Sequence, residues 1–374
     1  MQFLFEGVRI IDMTRLLPGP YATEIFADFG AEVIKIEQPE IGDYSRDYGA
    51  KVDGKGVMFD SLNKGKKSLC LNIHNRKERE QLLKLIETAD VLIESFRPGL
   101  MKRIGLDYDN IKKINPSIIY CSITGFGQKG TLSMKAGHDL TYLSYTGMLD
   151  LMTKGRENVS SENMIPPLPI TDIGASLNTV TAVLLAYINR LKNGEGQYID
   201  MAIVDGIYSN CMQLLLPQYM ATKEVPNIES DALFGAYANY CVYKTKDNRH
   251  ISVAAIEPKF WQVFCKGIGR EDFFDYLSDK KKMRMIKAEI QDIIKERTME
   301  EWVKLLEKQD ACVAPVVRIE EIQNSIPVRE RKLLNPDTGA ICNHFHFSTI
   351  RTKEKGKSPE LGQHNKEYLD YNAR

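Results

Sequence analysis

Short apolar runs alternate with amphipathic stretches through the first third of the chain. Residues 8–13 (VRIIDM) have the length and content of a strand. A turn follows at 14–20; Pro20 opens a helix that 21–29 continues and Gly30 caps. Residues 31–36 (AEVIKI) read as a second strand, closed by Gln38-Pro39. Such a strand–helix–strand unit takes a right-handed crossover and builds a parallel sheet. The pattern then repeats. Strands are predicted at 69–73, 90–95 and 118–123, with a helix at 77–89 that carries Leu82, Leu83, Leu85 and Ile86 on one side.

A longer helical period starts near Asp172: Ala175, Leu177, Val180, Val183, Leu184, Ile188 and Leu191, stopped by Asn193-Gly194. A strand at 196–202 and a helix at 207–219 come next, and 223–231 is polar and irregular, as a linker is. A hairpin at 240–243 and 250–255 turns at Asp247-Asn248. Helices at 258–265 and across 279–308, with a closing strand at 311–317, make this middle section a smaller α+β domain.

The 374 residues exceed what one core holds, so two domains are expected. Lys+Arg and Asp+Glu number 50 each, so no overall field favours nucleic acid or an anionic membrane. Any anionic ligand then needs a local basic cluster. The seven cysteines include no CxxC pair and read as reduced thiols in a cytoplasmic protein. Glu6 sits where a signal peptide would be basic, and no apolar run is expected to approach membrane-spanning length. The loop LLPGP is not GxGxxG, and no GxxxxGK[ST] occurs. His344 and His346 alternate as strand residues do and lack further ligands nearby, so no metal site is expected.

Candidate chemistry collects at few places. His138 follows Gly137 at the start of one predicted helix, and Asp172 stands at the start of another. A neutral imidazole accepts a proton and a carboxyl returns one, which suits acid–base work on a single carbon. Each also has an ordinary structural reading, Asp172 as a helix N-cap. The turn Asn63–Ser68 holds Lys64, Lys66 and Lys67, either a solvated turn or a phosphate clamp. Arg97 follows the carboxyl end of a predicted strand, where open α/β sheets bind ligands.

Several stretches together resemble the class III CoA-transferase and 2-methylacyl-CoA racemase family of the CaiB/BaiF type: the N-terminal GVRIIDMTRLLPGPYATEIFADFGAEVIKIEQP, then NKGKKSLCLNI, ADVLIESFRPG, GHDLTYLSYTGML, ITDIGAS, GEGQYIDMAIVDG and PELGQH. The resemblance implies a Rossmann-like α/β large domain built from both chain ends (1–222 and 330–374), with a small α+β domain and its linkers at 223–329. It also implies an intertwined homodimer and an acyl-CoA substrate, with no cofactor beyond the CoA that the substrate carries. CoA contacts are expected from Arg97, Lys64, Lys66, Lys67, Asn72 and Gly137. At 72 and 74, Asn72 and His74 stand where relatives commonly have Asp and Lys.

By the same resemblance, racemases carry a His in the GHD motif, an Asp at the later helix start and a Glu in an AIEP-like motif, matched by His138, Asp172 and Glu257. The leading expectation is therefore an acyl-CoA racemase that inverts the α-carbon of a 2-methylacyl-CoA. His138 and Asp172 would exchange the proton from opposite faces, Glu257 would orient or tune His138, and backbone N–H groups after Asp172 are one candidate source of donors for the enolate. The alternative is CoA transfer through a covalent Asp172 intermediate, and the short Pro167–Asp172 spacing resembles that branch. A third reading is an inert CoA-ester-binding protein.

Overall fold

The computed structural model describes residues 3–153, 165–227, 230–306, 309–335 and 339–369. The chain forms two compact units. The first comprises Met1–Gly147, Ile165–Gln213 and Arg331–Arg374; the second comprises Met148–Met164 and Leu214–Glu330.

The first unit is an α/β, Rossmann-like layer structure. In chain order its strands are β1 (Arg9–Met13), β2 (Glu32–Glu37), the short hairpin pair β3 (Lys51–Val52) and β4 (Lys55–Gly56), β5 (Lys67–Cys70), β6 (Val91–Glu94), β7 (Ile119–Thr124) and β8 (Gln197–Ala202). Six of them form one parallel sheet in the order β5-β2-β1-β6-β7-β8. The order reverses direction between β1 and β6, which makes the crevice beyond their carboxyl ends the ligand position expected of this topology.

Helices on both faces explain why the inner strands β1, β2, β6 and β7 are buried almost throughout. Successive side chains serve different cores. Ile10, Val33, Ile93 and Cys121 pack with Phe26 and Val183 on one face. Ile11, Ile34, Leu92 and Tyr120 pack with Leu82 and Leu69 on the other. The β3–β4 turn, which the apolar pattern did not announce, is Asp53-Gly54, both with positive φ as a tight hairpin requires.

The Ile170–Asn193 helix buries Ala175, Thr179, Val183 and Ala186. It has 24 residues with a window of mean hydropathy 1.3, long and apolar enough to cross a membrane by composition alone. This corrects the expectation that no segment reaches that length.

The final segment returns to the first unit. His364 Nδ1 accepts the Ser68 N–H at 3.1 Å, and Asn365 Oδ1 accepts the Cys70 N–H at 2.8 Å, so the open edge of β5 is covered. Lys355 pairs with Glu24 at 2.7 Å and with Asp28 at 3.4 Å.

The second unit has a three-stranded antiparallel sheet of β9 (Tyr240–Lys244), β10 (His250–Ala254) and β11 (Val313–Pro315), in the order β11-β10-β9. Its own core gathers Trp261, Phe264, Ile290 and Trp302. Both indoles are satisfied: Trp261 donates to the Phe273 carbonyl at 2.9 Å and Trp302 to the Ile294 carbonyl at 2.7 Å. The single helix expected at 207–219 is two, Ile203–Asn210 and Met212–Thr222. The chain passes from one unit to the other just there, after Gln213. Pro217, inside the second helix, has no N–H to return to Gln213.

Candidate active site

Two helix starts meet through one carboxylate. Asp139 opens the Asp139–Tyr145 helix, and its N-cap is His138. The longer helix, Ile170–Asn193, has Pro169 at its N-cap, a residue with no side-chain acceptor. Asp139 supplies the missing cap from 32 residues upstream: Oδ1 accepts the Thr171 N–H at 2.6 Å and the Asp172 N–H at 3.2 Å, and takes the Thr171 hydroxyl as well. The Ile170 N–H goes to the Leu168 carbonyl and the Ile173 N–H to the Pro169 carbonyl, at 2.9 and 3.0 Å. The first-turn donors are therefore occupied. The Ile173 N–H, the first after Asp172 and a candidate enolate donor, is thus already taken by the Pro169 carbonyl.

Asp172 is thus the third residue of its helix and not its N-cap. Its carboxyl is pushed up from the ordinary 3.8 to about 7, first by burial and then by the neighbouring Asp139 charge. No cation among the described residues pairs with it. Burial, with Asp172 and Asp139 adding, also raises the Tyr142 phenol to about 12. Tyr142 donates to the Gly137 carbonyl at 2.6 Å. Its ring lies so close that a Cβ at Gly125 or Gly137 would come within 2.3 or 2.6 Å of it. Gly137 therefore has a packing reason to be glycine, apart from any contact with CoA. His138 is exposed at the same junction.

A second feature lies beyond the carboxyl ends of β1, β2, β5 and β6. A cleft of about 560 Å³ is lined there by Arg15, Gln38, Asn72, His74 and Phe96, among others. The Arg15 guanidinium lies 5.2 Å from the Tyr44 ring centre and 5.5 Å from that of Phe96. Beneath the rim, burial pushes Glu94 up to about 7, with the nearby Asp200 adding to it and hydrogen bonds from Ser122 and the Phe96 N–H opposing. Glu94 accepts that Phe96 N–H at 2.7 Å. Arg97, next along, is exposed.

Residues 5–365 match the profile of CoA-transferase family III. The chain belongs to this family. It is 32% identical to α-methylacyl-CoA racemase of Mus musculus over 98% of the chain and 92% of the relative. It is 31% identical to succinyl-CoA:glutarate CoA-transferase of Homo sapiens over 99% of the chain and 87% of the relative. The crystal structure of a CAIB/BAIF family protein from Brucella suis aligns with a TM-score of 0.84 and 26% identity, covering 98% of both chains.

The fold separates the candidate residues. His138 and Asp172 come to one junction, tied by Asp139. Asn72 lines the cleft and Arg97 follows Phe96 on its rim. The basic turn lies at the other, amino end of β5. There Lys64 pairs with Asp60 at 3.2 Å and Lys67 with Glu367 at 3.4 Å, beside a separate cleft that Lys353 and Lys357 also line.

Lys66 is not the exposed ammonium expected of that turn. Its Nζ is buried, paired with Asp12 at 3.2 Å and donating to the Pro20 carbonyl at 2.8 Å and the Thr23 hydroxyl at 2.7 Å. Burial lowers it to about 8 despite Asp12. Burial opposes ionisation of Asp12 as well, yet Lys35 and Lys66 hold that carboxyl below the usual range. Glu257 belongs to the second unit, exposed at the N-cap of the Pro258–Gly267 helix without a side-chain bond to it.

Two residues escaped the sequence reading. Arg15 could have been found by the rule that selected Arg97, since it follows the carboxyl end of β1. Asp139 adjoins His138 but gives no local sign that it caps a helix 32 residues away.

Proposed function

We propose that the protein is an acyl-CoA enzyme that transfers CoA between carboxylic acids through a covalent Asp172 intermediate. One observation carries this reading: Asp172 is a half-buried carboxyl with no cationic partner among the described residues, beside a like charge, titrating at about 7. Ionised at pH 8, it is poorly solvated and unneutralised, as a carboxylate nucleophile must be. Attack of its oxygen on the thioester carbon forms a C–O bond, breaks the C–S bond and releases CoA thiolate, leaving an acyl anhydride on Asp172. The thiolate then attacks the Asp172 carbonyl, frees the first acid and leaves a CoA thioester on the enzyme. An incoming carboxylate reverses these steps. Proton counts balance and no redox change occurs.

The CoA nucleotide is assigned to the cleft at the β1–β6 crevice. Arg15 faces it with a guanidinium suited to phosphate oxygens, and Asn72 and Arg97 stand near. The active unit is proposed to be a homodimer with interlocked subunits. Leu177, Leu185, Ile188 and Leu191 form an exposed apolar stripe on the Ile170–Asn193 helix, which a second copy would cover.

Racemisation remains a second reading because His138 stands at the same junction as Asp172, offering two bases instead of one. The two are separated by incubating a 2-methylacyl-CoA in D2O with and without an added acid. CoA transfer, with hydroxylamine trapping a derivative at Asp172 and no α-deuterium gained, is the expected result. Deuterium uptake without an acceptor acid, lost in His138→Ala, would replace transfer by racemisation.

A further inference from the structure

Residues 14–16 are held by buried charges that the chemistry above leaves unused. Leu16 has a φ of +64°, a left-handed backbone that a residue with a Cβ adopts only when its surroundings enforce it. Both Asp43 carboxylate oxygens accept its N–H, at 3.1 and 3.3 Å. Asp43 in turn pairs with Lys35 at 2.9 Å, the side chains 1% and 0% exposed. Lys35 Nζ also donates to the Thr14 carbonyl at 2.9 Å, and Asp12 accepts the Thr14 N–H at 2.9 Å. Arg15 therefore sits between two pinned neighbours.

The same carboxylate fixes the other side of Arg15. Asp43 caps the turn Tyr44–Arg46, accepting the Ser45 N–H at 2.9 Å and its hydroxyl at 2.8 Å. Tyr44 is one of the rings against which the Arg15 guanidinium lies, and Arg15 Nη1 donates to its hydroxyl at 3.3 Å. A buried ion pair is by itself weak evidence of stability, because desolvation offsets most of its attraction. Here its hydrogen bonds converge on the backbone beneath one exposed-side guanidinium and on the ring beside it.

We propose that Asp43, fixed by Lys35, is a positioning residue for anion recognition: it presets the Leu16 backbone and the Tyr44 turn so that Arg15 is held ready for the phosphates of a CoA-type nucleotide. This rests on assigning the nucleotide to the β1–β6 cleft. Presetting raises affinity because a long side chain and its loop need not be ordered when the ligand arrives.

The test is calorimetric titration of the full chain with CoA and with pantetheine, which lacks the nucleotide. Arg15→Ala and Asp43→Asn should each weaken CoA on the order of tenfold, the effect of one charge-assisted contact. The double variant should bind CoA no more weakly than Arg15→Ala alone, since both act through one guanidinium. Pantetheine binding should not change. Tyr44→Ala, at an exposed position that leaves the ion pair intact, should weaken CoA and be silent in an Arg15→Ala background. Wild-type CoA affinity in a folded Asp43→Asn variant overturns the proposal. Additive losses in the double variant, or equal losses for CoA and pantetheine, overturn it as well. If Asp43→Asn does not fold, Tyr44→Ala decides alone, and unchanged affinity there refutes the seat. Undiminished CoA affinity in Arg15→Ala instead removes the nucleotide assignment of the cleft, and the proposal with it.

Discussion

Replacing Asp172 by Asn should stabilise the protein at pH 8 while abolishing transfer. The carboxyl titrates at about 7 in the fold and at the ordinary 3.8 when free. The folded state thus prefers the protonated form, and its full stability is present only below about pH 4. As pH rises from there to about 7, the unfolded chain ionises this group freely while the fold resists, so stability is lost across that window. Three pKa units correspond to a ceiling of roughly 4 kcal/mol. An amide keeps the shape but cannot ionise, so Asp172→Asn escapes the whole penalty and the repulsion from Asp139. Thermal melts of both proteins from pH 4.5 to 8.5 should show a small gap in Tm at the acid end that widens to several degrees or more at the alkaline end, given about 2–4 °C per kcal/mol for units of this size. Equal Tm at pH 8, or a gap that does not depend on pH, would refute the argument that Asp172 is an unneutralised, half-buried carboxyl.

Asp139→Ala should cost about 1 kcal/mol by uncapping the Ile170–Asn193 helix; it should also move the acid limb of the rate–pH profile downward, because a like charge beside Asp172 is gone. Gly125→Ala drives a Cβ to 2.3 Å from the Tyr142 ring, so a melt should show destabilisation of about 1–3 kcal/mol. Trp302→Phe leaves the buried Ile294 carbonyl without its donor and should cost about 1–3 kcal/mol in urea unfolding.

The inner strands of the large sheet, β1, β2, β6 and β7, were legible because each is buried on both faces and needs an apolar run, as in residues 8–13 and 118–123. Their parallel order followed from the connecting helices. The charged members of those strands were not legible. Lys35 in β2 and Lys66 before β5 look like surface residues in sequence; the buried Asp12 of β1 and Asp43 of the turn after β2 supply the charges that make their burial tolerable. At the candidate site, His138 and Asp172 were read from local pattern. Asp139 was passed over because its partner lies 32 residues away, and the reading of Lys66 failed for the same reason. Local sequence states which groups a residue has, whereas long-range folding decides which are already taken.

The return of the final segment to β5 has a bearing on the order in which the chain assembles as it is made. Lys355 on Glu24 and Asp28, and Asn365 on Cys70, join parts of one unit separated by about three hundred residues. Loop closures of that span come late. During synthesis the second unit, drawn from one nearly continuous stretch, is complete while the first still lacks its β5 edge strip. Until residues 355–365 emerge and dock, the β5 edge therefore stays open to neighbouring nascent chains, and a pause in synthesis just before them lengthens that exposure.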